Sequence, residues 1–523
     1  MLTLKKKINK NTTTEAKHTK RLLLIGWDAY PHIASGGVHK WQKSLIEGLP
    51  DWEFVVFNQI SNPNANGGFK LPKNVKAIGI PIFSTSRYEE YHDDGRSLVL
   101  KISKTTQKTI DKFLPLYDRL LAEFFSEVCN LENLREAVYE IHSFFEKYDY
   151  KKCLENPKSW ETFMERIKRD PIYKEMNLND ALRAFQFIQR SLQILSVRIP
   201  QVDLVQCSLA YFPALLGMIA KQKWGCPVVV SEHGVAFREA TLNYNLDYYD
   251  KYSRILVKTV AANVVRVLHH MADVVVAASR ANTFWQQMLG VPTTKMKLIY
   301  NGIDTERFIP IEIKREDKSP TLVSVGRLEP FKDIVCLLQA IKFVKEYEPN
   351  IKCLVYGESI TLDYANRCAK MWKQLQLEDT VKFMGVTNEP EKVFNSADIV
   401  VISSVTEGLP LTACEAMSCG RPIVAADVGG TREAVQGCGM LVKSRNPYAM
   451  SEAIITLLKD EKLRKEYGKA GMIKSRAEFS VTKMVNEYAI LYESLLNRTN
   501  QKSIQSHGPD VGQDSILQQV GRE

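Results

Sequence analysis

No apolar run in these 523 residues approaches the about eighteen uninterrupted positions that a membrane-spanning helix needs. The N-terminal stretch MLTLKKKINKNTTTEAKHTK has no apolar segment of signal-peptide length after its basic cluster, so the expected location is the cytoplasm. Ten cysteines are scattered without a single C-x-x-C pair, which argues against a zinc knuckle and against a redox pair, and they read as reduced core residues. A G-x-G-x-x-G fingerprint is missing from the glycine turn that follows the first apolar run, so a dinucleotide site is not indicated there. The net charge of +10 is modest for this length and no basic segment is interleaved with aromatics. Nucleic acid is therefore not an expected partner, whereas an anionic substrate or a membrane surface is compatible.

What is present is an ordinary globular composition, 45 % hydrophobic and 25 % charged, on a chain long enough for two or three domains. Residues 1–20 read as a disordered basic arm. RLLLIGW (Arg21 to Trp27) is the first buried strand, and the glycine turn after it, with Gly36 and Gly37, precedes Val38, Trp41, Leu45 and Leu49 at the spacing of one helix face. Strand, glycine turn and helix leave bare N–H groups at a helix start, which is either an anion site or a plain structural turn. EFVVFNQI and VKAIGIPIF continue the strand series. From about 87 to 198 the period becomes helical and predicts an all-α insertion of four or five helices. Strands resume with VDLVQCS and CPVVVSE. His233 falls just beyond the latter with Glu232 beside it, and Arg238 and Glu239 extend the polar cluster; a lone histidine there fits a structural role as well as a site. KREDKSP (Lys314 to Pro320) has the composition of a linker. The expected domains are 21–312, with the insertion, and 313–480, followed by a closing helix at 481–499 and a disordered tail at 500–523.

The second domain carries the densest chemistry. TLVSVGRLEPFKD is a strand whose exit holds Arg327 and, five residues on, Lys332. Two cations there suit a diphosphate, unless Glu329 and Asp333 neutralise them in a surface network. In ADIVVISSVTEGLPLTACEAMSCGRPIVAADVGGTRE, Ile399 to Ile402 is a buried strand, Glu407 lies on the loop at its carboxyl end, and Glu415 lies on the helix that begins near Pro410. Ligands of open α/β sheets bind at those ends. Two acceptor-only groups flanking a helix start suit a guest with hydroxyls at one end and phosphate at the other; the plainer alternative is a capped helix with two solvated glutamates.

Taken as a set, GGV, EHG, GRLEPFK and E-GLPLTACE-AM-GRPIVA-DVGG resemble the retaining GT-B glycosyltransferases of family four, over nearly the whole chain apart from the arm, the insertion and the tail. GWDAYPHIASGGVHKWQKSLIEGLP, the insertion and VVVSEHGVAFRE are similar to the PelF-type enzymes of bacterial exopolysaccharide assembly, which use UDP-glucose. The resemblance implies an α/β fold of two Rossmann-like domains facing a cleft. It implies that Arg327 and Lys332 hold the donor diphosphate, that Glu415 binds the ribose hydroxyls, and that Glu407 lies by the transferred sugar. Gly408, Leu409, Pro410 and Leu411 would line sugar and phosphate, Gly36 and Gly37 would let the first domain approach the diphosphate, and His233 would sit near the anomeric carbon. It implies a nucleotide-sugar donor, UDP-linked, a glycan or lipid-linked acceptor, no metal and no separate cofactor, with room for peripheral membrane or assembly-complex association. A sugar-nucleotide epimerase of the same fold and a non-catalytic glycan- or nucleotide-binding subunit are the competing readings.

Overall fold

The computed structural model describes residues 19–32, 36–61, 68–81, 95–234, 237–238, 251–315, 317–359 and 361–506. Seven strands, β1 (Arg21–Trp27), β2 (Glu53–Ile60), β3 (Val75–Pro81), β4 (Leu204–Cys207), β5 (Val228–Glu232), β6 (Val274–Ala277) and β7 (Met296–Leu298), form one sheet in the order β3-β2-β1-β4-β5-β6-β7. A second sheet holds β8 (Thr321–Val325), β9 (Lys352–Tyr356), β10 (Val381–Gly385), β11 (Ile399–Ile402), β12 (Ile423–Ala426) and β13 (Gly439–Val442) in the order β10-β9-β8-β11-β12-β13. Every pairing is parallel. Parallel strands need both faces covered, which is why they read as continuous apolar runs. The β13 strand escapes that signal because three of its four residues are only half-buried.

In β1, Leu23 and Ile25 point into one core layer while Leu22 and Leu24 point into the layer on the opposite face. The first layer is roofed by the insertion between β3 and β4. It comprises six α-helices among the described residues, Gly95–Lys104, Gln107–Phe125, Leu131–Phe145, Tyr150–Leu154, Pro157–Arg169 and Leu178–Leu192, not four or five. The five-residue Tyr150–Leu154 helix is too short to show a period. Asn130, Asp149, Asn156 and Asn177 each accept backbone N–H bonds at a helix start, fixing four of the six boundaries. The expected start at residue 87 lies outside the described residues. The insertion is tied to the Lys251–Met271 helix where Asn263 Nδ2 donates to the carbonyls of Glu123 and Ser126, at 2.9 and 2.8 Å.

The other face of the first sheet is covered by the Gly37–Gly48 helix and by the Val481–Ser506 helix, which returns from the second lobe. That last helix runs to Ser506, into the stretch expected to be tail. Tyr492 Oη donates to Gln206 Oε1 at 2.8 Å, Gln206 Nε2 donates to Ser231 Oγ at 2.9 Å, and Ser231 Oγ lies 2.9 Å from Tyr488 Oη. This buried polar row joins the chain's end to β4 and β5.

The chain crosses between lobes near Ile303 and again near Ser480. The two crossings are bonded to each other, Ile303 N to Phe479 O and Val481 N to Ile303 O, each at 2.8 Å. The stretch marked as linker by composition is no free spacer: Ile311 N donates to Asn395 Oδ1 at 3.0 Å, and Arg315 pairs with Asp398 at 2.7 Å. All ten cysteines are free thiols, nine of them buried. Among the described residues no helix is long and apolar enough to cross a membrane.

Tyr492→Phe removes the hydroxyl and strands the buried Gln206 oxygen. A loss of about 1–2 kcal/mol in urea denaturation is expected. An unchanged midpoint would mean that the row does not anchor the closing helix.

Candidate active site

Strand order reverses between β8 and β11 in the second sheet and between β1 and β4 in the first, and in open α/β sheets such switch points are where the loops part and leave a crevice. At the second-lobe switch point Ser324, Val325 and Gly326 meet Lys332, Glu407 and Thr412 round a shared recess. Lys332 closes a one-turn 3-10 helix, Pro330–Lys332, and its Nζ donates to Glu407 Oε1 at 2.7 Å. Ser404 Oγ donates to the same oxygen at 2.6 Å, and Ser403 Oγ donates to the Lys332 carbonyl at 2.7 Å. The ammonium and the carboxylate are thus held as a unit from facing loops.

Arg327 stands apart. Its guanidinium is more than half exposed and bonds Glu329 at 3.2 Å. The two cations therefore each have an acidic neighbour, Glu329 for Arg327 as the alternative reading allowed and Glu407 for Lys332. Asp333 is not one of those neighbours: with φ of 47° it caps the Ile334–Tyr347 helix, accepting from Cys336 N at 3.3 Å.

The Leu411–Ser418 helix starts at Pro410 with no side-chain cap, and Thr412 in its first turn lines the recess, so the positive end of the helix dipole lies beside it. Glu415, one turn in, is 3 % exposed, and burial raises its carboxyl above the usual range. The carboxylate is paired with Lys40, which belongs to the Gly37–Gly48 helix of the other lobe. Glu407 and Glu415 are therefore not solvated glutamates on a surface helix. The two helix starts abut, since a side chain on Gly37 would meet Leu411 Cδ1 at 3.4 Å. Gly36 holds φ of 102°, a conformation that suits a residue without Cβ.

His233 lies at the end of β5, its ring packed edge-on against Trp41 with centroids 4.5 Å apart. Its Nδ1 is 2.9 Å from Asn301 Oδ1; an amide oxygen only accepts, so Nδ1 carries the proton and Nε2 is left as the acceptor. Burial pushes the ring's pKa down to about 4, so the imidazole is neutral at neutral pH. Its carbonyl oxygen lies so close to Gly408 that a Cβ there would collide with it. Only glycine at 408 lets the backbones of the two lobes approach this closely. Leu409 and Pro410 are buried between that contact and the helix start.

Arg238 does not join His233; it lies over the Trp285 ring, 5.7 Å from its centroid. Glu239 lies outside the described residues. Glu232 is fully buried beneath the site, accepting from Gln286 Nε2 at 3.1 Å with His269 Nε2 at 3.3 Å. Lys40, Asn301 and Ser404 were not singled out from sequence, and Trp41 was read only as a helix-face residue. The N-G dipeptide at Asn301 marks a turn, but nothing local marks Lys40 or Ser404. Glu433 of the second lobe accepts from Arg280 N and from Tyr300 Oη, each at 2.9 Å, a further bond between lobes.

The chain is similar to known proteins in both lobes. Residues 305–473 match the family described as glycosyl transferases group 1, and residues 20–294 match a domain of unknown function, DUF3492. The N-acetylgalactosamine-N,N'-diacetylbacillosaminyl-diphospho-undecaprenol 4-alpha-N-acetylgalactosaminyltransferase of Campylobacter jejuni is 28 % identical over 221 residues, 41 % of this chain and 58 % of that relative. The chain thus spans under two thirds of that relative's length. Among solved structures, sucrose-phosphate synthase from Thermosynechococcus elongatus superposes with a TM-score of 0.60 at 18 % identity, covering 92 % of this chain and 100 % of that one. Anabaena HepE, solved with UDP and glucose, superposes with a TM-score of 0.56 at 17 % identity, covering 91 % and 100 %. At such identities the likeness is one of fold, and the fold is GT-B.

Two outcomes follow from the geometry. Gly408→Ala is expected to cost about 1–3 kcal/mol and to enlarge the radius of gyration in X-ray scattering with unchanged circular dichroism. An unaltered radius would contradict the backbone contact. Because His233 protonates less readily folded than unfolded, it adds stability that is complete above the unfolded value of about 6.5 and is lost as pH falls toward about 4. His233→Gln should flatten the stability profile across that window, and an unchanged slope would contradict the buried neutral ring.

Proposed function

We propose, for a chain that belongs to the DUF3492 family over its first lobe and is a group 1 glycosyltransferase over its second, that it moves a hexosyl group from UDP-glucose or a similar nucleotide-sugar to a glycan or lipid-linked acceptor with retention of configuration. The observation that carries this is the uncapped helix start at the second switch point, flanked by the Lys332–Glu407 unit and by Glu415 against the opposite lobe. It offers an anion site next to two hydroxyl acceptors, which is the chemistry of a ribose, a diphosphate and a sugar in a row.

In this account the diphosphate settles on the N–H groups at Leu411 and Thr412, with Lys332 and Arg327 as cations. Both side chains already have carboxylate neighbours, so a diphosphate competes for them and leaves Glu407 free to accept from the sugar's hydroxyls. Glu415 takes the ribose diol. His233, neutral and with Nε2 open as an acceptor, meets a sugar hydroxyl near the anomeric carbon. Gly36 and Gly37 admit the first lobe's backbone to the diphosphate side.

The acceptor oxygen attacks the anomeric carbon on the face the diphosphate leaves. The bond from that carbon to the diphosphate oxygen breaks, and the acceptor's proton passes to the departing oxygen. Lys332, Arg327 and the helix dipole stabilise the charge that develops there, which is an electrostatic contribution needing no side-chain nucleophile. The lobes, joined at Gly408 and His233, exclude water from the sugar.

HepE was solved with UDP and glucose, and the Campylobacter relative is named for a diphospho-undecaprenol-linked acceptor; both support this donor and acceptor class. The PelF-like first-lobe motifs favour exopolysaccharide assembly in the cytoplasm.

A panel of radiolabelled UDP-, GDP- and ADP-sugars, with and without membranes or oligosaccharide, tests the proposal. Free nucleotide together with a labelled glycan supports it. Interconverted sugar without nucleotide release would make the protein an epimerase, and binding without turnover would make it a non-catalytic subunit. Lys332→Ala and Glu415→Ala should each lower kcat/KM at least about a hundredfold with the fold intact. Unchanged turnover in both would remove those roles.

A further inference from the structure

Among the described residues the ion pair between Lys40 and Glu415 is the one contact at this site in which each lobe supplies a charge, and the two sides are unequal. Glu415 is almost wholly buried, whereas the Lys40 side chain is half exposed and reaches across from the helix that follows the glycine turn, passing near the Phe308 ring. A carboxylate in so dry a position is costly unless a cation or strong donors satisfy it. Of the other groups that face it, Arg307 contributes a favourable field only and makes its bonds elsewhere. Arg307 is engaged by Glu391 at 2.8 Å and by the Asn388 carbonyl at 2.9 Å, and Glu391 itself repels Glu415. On its own helix and just beyond its end, the neighbours are the buried thiols of Cys414 and Cys419. Among the described residues no side chain of the second lobe bonds the Glu415 carboxylate.

We infer that Lys40 is a positioning residue for the nucleotide: its ammonium pairs with Glu415 across the cleft, so that the second lobe's diol acceptor is complete only while the first lobe is closed upon it. With Lys40 on Oε1, Oε2 remains to accept from a vicinal diol. With the lobes apart, Glu415 loses its cation, takes up a proton more readily and accepts less well. Diol capture and closure are then thermodynamically coupled, and the coupling is reciprocal: a bound diol favours closure as much as closure favours the diol. This inference rests on Glu415 being the ribose acceptor.

The test is calorimetric titration of UDP and of 2',3'-dideoxy-UDP into the full chain and its Lys40→Met, Lys40→Arg and Glu415→Gln variants, repeated from about pH 6 to about pH 9. Lys40 is exposed enough for its removal to leave the core intact, and the melting temperature checks this. Lys40→Met should bind UDP about tenfold more weakly, with a deficit that is larger at the acid end of the range, because burial raises the Glu415 carboxyl and Lys40 opposes that rise. Lys40→Arg should restore most of the affinity. With dideoxy-UDP, wild type and Lys40→Met should bind alike. Equal UDP affinity and an equal pH profile in Lys40→Met would overturn the inference, and so would tighter binding at every pH, which would make Lys40 a competitor of the diol. If Glu415→Gln also binds UDP normally, the ribose role of Glu415 fails; if it binds weakly while Lys40→Met does not, only the coupling fails.

Discussion

A carboxylate buried to the depth of Glu415 has to be answered by positive charge or by strong donors, and in this chain the answer comes from the opposite lobe. That requirement sets how the two sheets face each other. The Gly37–Gly48 helix must bring Lys40 within bonding reach of the Leu411–Ser418 helix, and the loops on either side must tolerate the approach. The absence of a side chain at Gly408 and the extended reach of Glu433 to the backbone of Arg280 meet that demand. The two crossings between the lobes are paired with each other at Ile303 and Ser480.

The geometry divides the chemistry by lobe. The second switch point supplies the uncapped helix start, the cations Lys332 and Arg327 and both carboxylates. The first supplies a neutral histidine and the ammonium that completes one of those carboxylates. Neither lobe holds the full set, so a guest that touches all of it must bridge them. Among the described residues the insertion does not enter this constellation. Its helices share one continuous core with β1, β4 and β5, so it stiffens the first lobe behind the site.

The sheets were legible in the sequence because parallel strands are buried on both faces, and β1, β2 and β11 keep the bounds that their apolar runs indicate. β13 was not, since a half-exposed edge of four residues carries no such run. That Lys332 and Glu407 stand at strand exits was legible, but their direct contact, 75 residues apart, was not: the acidic neighbours expected from the sequence were Glu329 and Asp333. Lys40–Glu415 and His233–Gly408 span 375 and 175 residues respectively, and no local pattern encodes such meetings. The linker was misjudged for a related reason: KREDKSP is polar, but its Arg315 finds Asp398 and so binds the stretch to the second lobe.

The most direct measurement is a structure of the protein with a nucleotide-sugar bound. The account predicts the diphosphate on the N–H groups at Leu411 and Thr412 with Lys332 and Arg327 on its oxygens, the ribose hydroxyls on Glu415, and the sugar between Glu407 and His233. A nucleotide seated at the first sheet's switch point, or a ribose out of reach of Glu415, would contradict it.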